Sequence, residues 1–223
     1  MCRPNCLSFV ARALQRDEIE NKRVLEIGSY DVNGKSRNIV EMFHPREYFG
    51  IDIKAGKNVD MVCDIEHVVN KFGRNSFDVV ITTELLEHVK DWRKAISNIK
   101  NVLKEHGVAI ITTVPRGYPY HPDPEDYWRY EKEDVKIIFK DFEILMLEED
   151  YIYPGIFFKV RKADDFQEVD LSHYMLYNIV ERKRIPSWKN VSMIKLVCKK
   201  LLKRTFQLLH GGLERCEKLI IGL

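Results

Sequence analysis

Two glutamates and two histidines are the side chains of this sequence best suited to acid–base or metal chemistry. Glu84, Glu87 and His88 stand at positions i, i+3 and i+4, which share one face of a helical turn. His121 follows a later apolar strand. Glu87, His88 or His121 would take a proton from a bound acceptor, and all four residues together would hold a divalent cation. The alternative is that residues 84–88 serve only turn geometry and packing.

The stretch H-P-D-P-E-D-Y-W-R-Y at 121–130 is the most individual part of the chain. It combines a histidine and acids with aromatic rings and an arginine. Aromatic faces with a few polar groups suit a sugar or a planar small molecule. We therefore expect Tyr127, Trp128 and Arg129 to contact a substrate. The competing interpretation is a loop whose aromatic rings cover the core.

A nucleoside-binding pattern precedes both motifs. Gly28 ends an apolar run, and Asp52 ends another one 24 residues later, where a carboxylate can accept both ribose hydroxyls. The dinucleotide fingerprint G-x-G-x-x-G fails, because Tyr30 and Asn33 replace its second and third glycines. Those glycines serve a pyrophosphate and close helix packing. The pattern therefore favours a nucleoside ligand without a pyrophosphate, such as S-adenosylmethionine, over NAD. A Tyr-x-x-x-Lys couple, typical of some NAD-dependent oxidoreductases, is also missing.

The elements that must position these residues alternate along the chain. Apolar runs predict strands, and segments of helical periodicity between them predict helices, one of which is ended by Gly107. Such alternation predicts an α/β fold, a Rossmann-like doubly wound, mostly parallel seven-stranded sheet with an antiparallel terminal strand. Residues 115–130 are expected to form a loop. The predicted strands are 23–28, 47–53, 59–63, 76–83, 107–114, 142–149 and 155–162; the predicted helices are 5–16, 35–43, 91–104 and 131–140.

Five motifs resemble one family in order. They are V-L-E-I-G-S (24–29), Y-F-G-I-D-I (48–53), C-D-I-E (63–66), F-D-V-V-I-T-T-E-L-L-E-H-V (77–89) and the helix before G-V-A-I-I-T-T (107–113). They resemble class I S-adenosylmethionine-dependent methyltransferases, most closely the broad type 11 small-molecule group. The resemblance covers about residues 20–150. It implies a cofactor site formed by Glu26, Gly28, Ser29, Asn33, Gly34, Asp52, Ile53, Asp64, Ile65 and Thr83.

The resemblance also assigns roles within that site. Glu26 and Gly28 would hold the methionine end and Asp52 the ribose. Asp64 and Ile65 would flank the adenine, and Thr83 would lie near the sulfonium. The family's loop E-x-G-x-G-x-G reads E-I-G-S-Y-D-V-N-G here, so Asn33-Gly34 is expected to supply the positive-φ turn.

The implied reaction is in-line methyl transfer, for which the protein mainly aligns the acceptor and removes its proton. The Glu84–His88 motif resembles the metal site of magnesium-dependent 2′-O-methyltransferases of small RNAs and of some quinone-biosynthesis enzymes. The H-P-x-P-x-D-Y-W-R pattern resembles methyltransferases of surface-polysaccharide biosynthesis. We therefore expect O-methylation of a small-molecule or sugar hydroxyl. A divalent metal is the less favoured option. The alternative is a non-catalytic S-adenosylmethionine-binding or scaffold protein with a degenerate glycine loop.

Charge is distributed unevenly along the 223 residues. The total is 36 Lys or Arg against 34 Asp or Glu, a net charge of +2 that argues against nucleic acid as a partner. Residues 187–223 carry eight Lys or Arg and two Glu, or +6, which leaves −4 for residues 1–186. We expect a methyltransferase domain over 1–162 with an N-terminal entry helix, and a basic helical extension over 163–223.

The basic extension has three interpretations: packing or self-association, contact with an anionic membrane surface, and RNA binding. Five scattered cysteines without a C-x-x-C pair indicate free thiols in a reducing compartment. No uninterrupted apolar run is long enough for a signal peptide or a membrane span. We therefore expect a cytoplasmic protein. The basic tail would also allow peripheral attachment at the inner face of the membrane.

Overall fold

The computed structural model describes residues 3–31, 36–150, 153–203 and 205, and within them a seven-stranded sheet. The strand order is β3-β2-β1-β4-β5-β8-β7, parallel from β3 to β5, with β8 antiparallel to both β5 and β7. The expected fold class is therefore confirmed. The strands are β1 (Arg23–Ile27), β2 (Glu47–Asp52), β3 (Met61–Val62), β4 (Phe77–Thr83), β5 (Leu103–Thr113), β6 (Trp128–Arg129), β7 (Phe142–Asp150), β8 (Gly155–Lys162), β9 (Leu176–Asn178) and β10 (Lys183–Ile185).

Helices cover both faces of this sheet. Alternate β4 side chains serve the two layers: Val79 and Ile81 pack with α1, whereas Val80 belongs to the core on the other face, which includes α5. The α-helices are α1 (Pro4–Ala13), α2 (Arg16–Ile19), α3 (Ser36–Glu41), α4 (Val68–Phe72), α5 (Trp92–Val102) and α6 (Lys132–Ile138); short 3-10 helices span Ile65–His67 and Trp188–Asn190, and the C-terminal helix spans residues 193–203.

The expected end of the helix before β5 is wrong. The helix ends at Val102, and Gly107 lies within β5. A Cβ at Gly107 would approach the carbonyl oxygens of Lys104 and Asp78 to 2.9 and 3.0 Å, so close backbone packing accounts for this glycine. The entry segment also differs from one helix over 5–16, since it divides into α1 and α2.

Residues 115–130 and 163–223 depart most from expectation. The first range is not wholly a loop, because β6 lies within it and pairs with β9 in a second, three-stranded sheet of order β10-β9-β6. The second range is not only helical, since β9 and β10 precede the C-terminal helix. Leu176, Ile185 and Leu196 join the main hydrophobic core. The described part of the extension is therefore packed onto the core of the preceding residues.

The C-terminal helix lies against the turn between β9 and β10. Lys199 Nζ donates to the Ile179 carbonyl over 2.6 Å, and Lys195 Nζ donates to Glu181 over 2.6 Å. Among the described residues, no helix has the length and apolar character needed to cross a membrane.

Candidate active site

A cavity of about 830 Å³ opens at the carboxyl ends of the parallel strands. This is where open α/β sheets bind ligands, because the strand order reverses there. Six of the ten residues predicted to bind the cofactor line the cavity: Gly28, Asp52, Ile53, Asp64, Ile65 and Thr83. One half of the site is therefore formed directly by the loops that follow β1, β2, β3 and β4.

The first two strand ends fix a glycine and a carboxylate. Gly28 has φ +82°, and its N–H donates to the Ile51 carbonyl over 2.8 Å, which ties the end of β1 to β2. Asp52 accepts backbone N–H bonds from Lys54 at 3.0 Å and from Tyr30 at 3.3 Å. These bonds orient the carboxylate at the cavity wall. An oriented carboxylate here suits a ribose diol.

The next two strand ends add a polar and an apolar wall. The Asp64 carboxylate caps the helical turn Ile65–His67 by accepting the Glu66 N–H at Oδ1 over 2.8 Å. Its Oδ1 is engaged in this cap, while the residue still lines the cavity. Ile65 is 4% exposed and supplies an apolar wall beside it. Such a pair suits a planar base with an exocyclic amino group.

Glu26 and Ser29 lie behind the cavity wall. The buried Glu26 carboxylate accepts hydrogen bonds from the hydroxyls of Ser36 and Tyr48, and burial raises its pKa. The Ser29 hydroxyl is buried without a hydrogen-bond partner among the described atoms. Neither residue lines the cavity. Asn33 and Gly34 lie outside the described residues.

Tyr30, which replaces a glycine of the family loop, has room in this structure. Its ring lines the cavity, and the side chain is 42% exposed. A Cβ at Gly56 would come within 2.2 Å of Tyr30 Cε2, so the ring depends on the absence of a side chain there. The tyrosine therefore forms part of the cavity wall.

The predicted acid–base group is assembled around Glu87. This carboxylate is fully buried; Oε2 accepts a hydrogen bond from the Thr113 hydroxyl over 2.9 Å, and Oε1 has no hydrogen-bond partner among the described atoms. The Nε2 atoms of His88 and His121 each lie 3.9 Å from Oε1. The two imidazole rings meet edge to face with centroids 4.9 Å apart. His88 and His121 also line the cavity.

Both imidazoles direct Nε2 toward Glu87 because Nδ1 faces acceptors. His88 Nδ1 lies 2.5 Å from the Glu125 carbonyl oxygen. His121 Nδ1 lies 3.0 Å from the Pro119 carbonyl oxygen and 3.1 Å from Asp126 Oδ2. An acceptor at Nδ1 assigns the proton to that atom. Each neutral ring would therefore present an unprotonated Nε2.

A buried ion pair holds His121 in place. Arg129 and Asp126 are both completely buried, and the guanidinium donates to the two carboxylate oxygens over 2.5 and 2.7 Å. The same carboxylate accepts the His121 N–H over 2.7 Å. Burial opposes ionisation of Asp126, yet hydrogen bonds from Arg129 and His121 keep its pKa below the ordinary value.

The charged groups around Glu87 stabilise one another's ionised forms. Burial would raise the pKa of Glu87, but the interaction with His121 and the charge of His88 lower it to about 2. Burial disfavours the His121 cation, but Asp126 and Glu87 raise its pKa to about 9. Glu87 is therefore an anion and His121 a cation near neutral pH.

Glu84 is separated from this cluster, although the helical spacing predicted that it would join it. Among the described residues, the three whose ligand atoms lie within 4.8 Å of one another are Glu87, His88 and His121. Glu84 has φ +49° and therefore leaves the helical path. Its carboxylate pairs with Arg3 over 2.5 Å. Glu84 and Arg3 both line the cavity, and no sequence motif had pointed to Arg3.

The three predicted substrate residues divide between the cavity and the core. Tyr127 lines the cavity. Trp128 and Arg129 are fully buried, and Trp128 Nε1 donates to the Val89 carbonyl over 2.9 Å. Their predicted contact with substrate is therefore not found, because β6 turns both side chains into the protein. The aromatic, charged composition of this segment reflects a core and an ion pair as well as a cavity wall.

The C-terminal helix supplies a cavity residue that the sequence did not indicate. Lys203 lines the cavity, and its Nζ donates to the Tyr120 carbonyl over 2.8 Å. The neighbouring Lys200 forms an ion pair with Glu125. Tyr118, whose ring lies 4.8 Å from that of His121, completes this side.

The strand-end cavity with its oriented carboxylate agrees with the class I methyltransferase expected from the sequence motifs, and comparison with known proteins identifies the family. A family model described as a methyltransferase domain matches residues 3–141. The chain belongs to this family. No curated protein matches it in sequence.

Solved structures share the fold at low sequence identity. A putative S-adenosylmethionine-dependent methyltransferase from Listeria monocytogenes is 14% identical with a TM-score of 0.54, covering 73% of this chain and 100% of that one. The 1,6-didemethyltoxoflavin-N1-methyltransferase of Burkholderia thailandensis, solved with S-adenosylhomocysteine, is 14% identical with a TM-score of 0.57, covering 71% and 79%. Phosphoethanolamine N-methyltransferase 2 of Haemonchus contortus is 19% identical with a TM-score of 0.55, covering 72% and 52%.

Proposed function

We propose that this protein transfers the methyl group of S-adenosylmethionine to a hydroxyl of a small molecule or glycan. The observation that carries the proposal is the joint presence, in one cavity, of the Asp52 strand-end carboxylate and the Asp126-oriented His121. The first suits a nucleoside and the second suits removal of a proton. The Burkholderia and Haemonchus proteins that share the fold are methyltransferases crystallised with S-adenosylhomocysteine and S-adenosylmethionine, which supports this donor.

The strand-end residues have the chemistry that such a donor requires. Asp52 would accept the ribose hydroxyls, and Asp64 with Ile65 would bind the adenine. Gly28 leaves the backbone open next to the methionine part, and Thr83 lies at the end of β4 toward the transferred group. When bound, S-adenosylmethionine supplies a methyl group already activated by its sulfonium.

The protein's own part in the reaction is alignment and proton removal. Tyr118 and Tyr127 offer aromatic faces to an acceptor. Neutral His121 would accept the hydroxyl proton at Nε2, and the bound donor would give its methyl group to the acceptor oxygen and leave as S-adenosylhomocysteine. Glu87 then stabilises the resulting imidazolium. Asp126 is a positioning residue, because it holds the opposite ring nitrogen.

Donor binding is tested first, by titration calorimetry. We expect micromolar affinity for S-adenosylmethionine in the wild type and a loss of roughly 10- to 100-fold in Asp52→Ala, since hydrogen bonds to a charged group contribute about 1.5–3 kcal/mol. Asp165→Ala, which removes an exposed carboxylate, is the control and should bind as the wild type does. Folded wild-type protein that fails to bind would overturn the enzyme in favour of a scaffold.

Acceptor chemistry is tested by release of S-adenosylhomocysteine in the presence of hydroxylated sugars and phenols. Activity should disappear in His121→Gln while donor affinity stays within about threefold. Unchanged turnover in this variant would remove His121 as the proton acceptor.

A divalent metal held by Glu87, His88 and His121 is the second candidate. It is supported by the unpartnered Glu87 Oε1 and by two Nε2 atoms directed at it. We favour the metal-free version because the His121 cation already balances the Glu87 charge. If the reaction is metal-free, chelation leaves activity unchanged. A metal would be established if chelation removed activity, Mg²⁺ or Mn²⁺ restored it, and Glu87→Gln were inactive even with added metal.

A further inference from the structure

The C-terminal helix turns its apolar side toward solvent, unlike an ordinary surface helix. Its outward half carries Met193, Ile194, Val197, Leu201 and Leu202, which are between 49% and 77% exposed. Leu196 is the apolar residue that it buries, at 5% exposure. Surface helices normally turn their apolar stripe toward the core. Here an apolar stripe, defined by the five exposed residues, faces outward.

The lysines of the same helix point the other way. Lys199 donates to the Ile179 carbonyl, Lys200 pairs with Glu125, and Lys203 donates to the Tyr120 carbonyl. The helix therefore fastens itself to the domain through polar contacts and leaves its apolar half without a partner among the described residues. A contiguous exposed apolar surface of this kind marks an interaction site.

The charge around the stripe indicates what covers it. Residues 182–213 contain nine Lys or Arg and neither Asp nor Glu. Arg182, Lys183 and Lys189 are exposed, and the turn that carries Arg182 contacts the helix. Two carboxylates near the helix, Glu181 and Glu125, are already paired with its lysines. An apolar stripe with exposed cations beside it complements an anionic lipid surface, which takes up apolar side chains below its headgroups and attracts Lys and Arg. A second copy of the chain would instead bring like charges together across a two-fold axis.

We propose that the apolar stripe of the C-terminal helix inserts into the interface of an anionic membrane. The described helix does not span the bilayer; it lies along the surface. Because Lys203 of this helix also lines the cavity, the docked protein opens the acceptor side of its cavity beside the lipid headgroups. Membrane docking itself does not depend on the proposed methyl transfer.

The test is co-sedimentation of the full chain with vesicles. The wild type should pellet with phosphatidylcholine vesicles that contain phosphatidylglycerol, and much less with pure phosphatidylcholine or at high salt. The double variant Leu201→Glu/Leu202→Glu should lower the bound fraction by at least ~10-fold, since it replaces two inserted apolar groups with charges that the anionic surface repels. Met42→Glu/Ile137→Glu changes two exposed apolar residues elsewhere and should pellet like the wild type.

Two further measurements keep the result decisive. Calorimetry with S-adenosylmethionine shows whether the double variant keeps its fold and donor site, so a failed donor site is distinguished from failed docking. Sedimentation velocity without vesicles reports self-association. A wild-type dimer that the double variant dissociates would overturn the proposal in favour of a second copy. A wild-type monomer that never pellets would overturn it in favour of coverage by residues 206–223. Equal pelleting of wild type and double variant would overturn it as well.

Discussion

The two halves of the cavity are built in different ways. We call the two halves the donor half and the acceptor half, after the ligands that we propose for them. The donor half comprises Gly28, Asp52, Asp64 and Thr83, each within a few residues of a strand end. The acceptor half comprises Tyr118, His121, Tyr127 and Lys203, with Lys203 drawn from a helix about eighty residues further along the chain. A parallel sheet delivers the donor residues to one edge automatically. The acceptor residues meet only after the loop, the second sheet and the C-terminal helix have packed together.

The halves also differ in how charge is held. In the donor half, Asp52 accepts two backbone N–H groups beside an open cavity. In the acceptor half, the carboxylates of Glu87 and Asp126 are completely buried. Buried charges impose large penalties when one partner is lost. Substitutions in the donor half should therefore alter binding, whereas those in the acceptor half should alter stability together with activity.

The largest effect is expected from Asp126→Ala. It leaves the guanidinium of Arg129 buried without its anion, which should lower the free energy of unfolding by about 3–5 kcal/mol in urea denaturation. Affinity for S-adenosylmethionine in the surviving folded protein should change by less than about threefold. Asp123→Ala, which removes an exposed carboxylate three residues away, should cost less than about 0.5 kcal/mol. A large loss of donor affinity in Asp126→Ala would contradict the expectation that the acceptor half does not affect donor binding.

The second effect is a pH dependence of stability that belongs to the acceptor half. The pKa of His121 is raised from 6.5 to about 9 in the folded protein, so folding favours its cation. This contribution, on the order of 1–3 kcal/mol, is complete below pH 6.5 and disappears as the pH rises through about 9. Urea denaturation from pH 6 to 10 should show the decline in the wild type and not in His121→Gln. If the free energy of unfolding changed with pH in the same way in wild type and in His121→Gln, the pKa of His121 would not be raised.

The pH dependence of turnover should also depend on His121. Turnover should increase with pH over the range in which the stability decreases. Because neutral His121 takes the proton, the rate should rise with pH up to about 9. In Asp126→Asn the rise should occur at lower pH, since the cation loses an anionic partner. A pH-independent rate in the wild type would contradict the assignment.

Two glycines provide a matched pair across the cavity. Gly28 in the donor half and Gly117 near the acceptor loop have φ of +82° and +90°. An alanine costs about 1–2 kcal/mol at either position, because an L side chain disfavours this region. The Cβ at Gly117 meets nothing within 4 Å, whereas the Cβ at Gly28 meets Leu85 Cδ1 at 3.4 Å. Thermal unfolding should report similar losses, and calorimetry should show weaker donor binding only in Gly28→Ala.

The smallest effect is expected where the two halves touch. Lys54 follows the donor carboxylate and lies 3.5 Å from Asp123 of the acceptor loop, with both side chains more than half exposed. Exposed pairs contribute about 0–1 kcal/mol. Lys54→Ala should therefore change neither stability by more than about 0.5 kcal/mol nor donor affinity by more than about twofold. A larger change would mean that this contact couples the halves.

Prediction from sequence succeeded where the relevant residues are neighbours in the chain. Strand ends such as Gly28 and Asp52 follow directly from apolar runs that stop at polar residues. It failed where a contact joins distant segments. The pairing of Glu84 with Arg3 spans 81 residues, and the positive φ that turns Glu84 out of the helical path is not encoded in the i, i+3 spacing.

The segment 121–130 shows the same limit. Its composition indicated aromatic rings and charges beside the cavity, but pairing of β6 with β9 decided that Trp128 and Arg129 are buried while Tyr127 lines the cavity. The basic tail is another example. Its amphipathic pattern was visible in the sequence, yet only the contacts of Lys199 and Lys200 decided that the apolar half faces outward.

The sequence by itself determined the α/β architecture and which residues stand at the strand ends, because apolar periodicity locates the strands along the chain and a parallel sheet collects their ends. The tertiary structure alone decided the acceptor half. There, the Glu125 carbonyl and the Asp126 carboxylate select which nitrogen of His88 and of His121 faces Glu87, and burial selects which side chains a substrate meets. Such choices depend on desolvation and on partners far apart in the chain, and neither quantity can be read from local spacing.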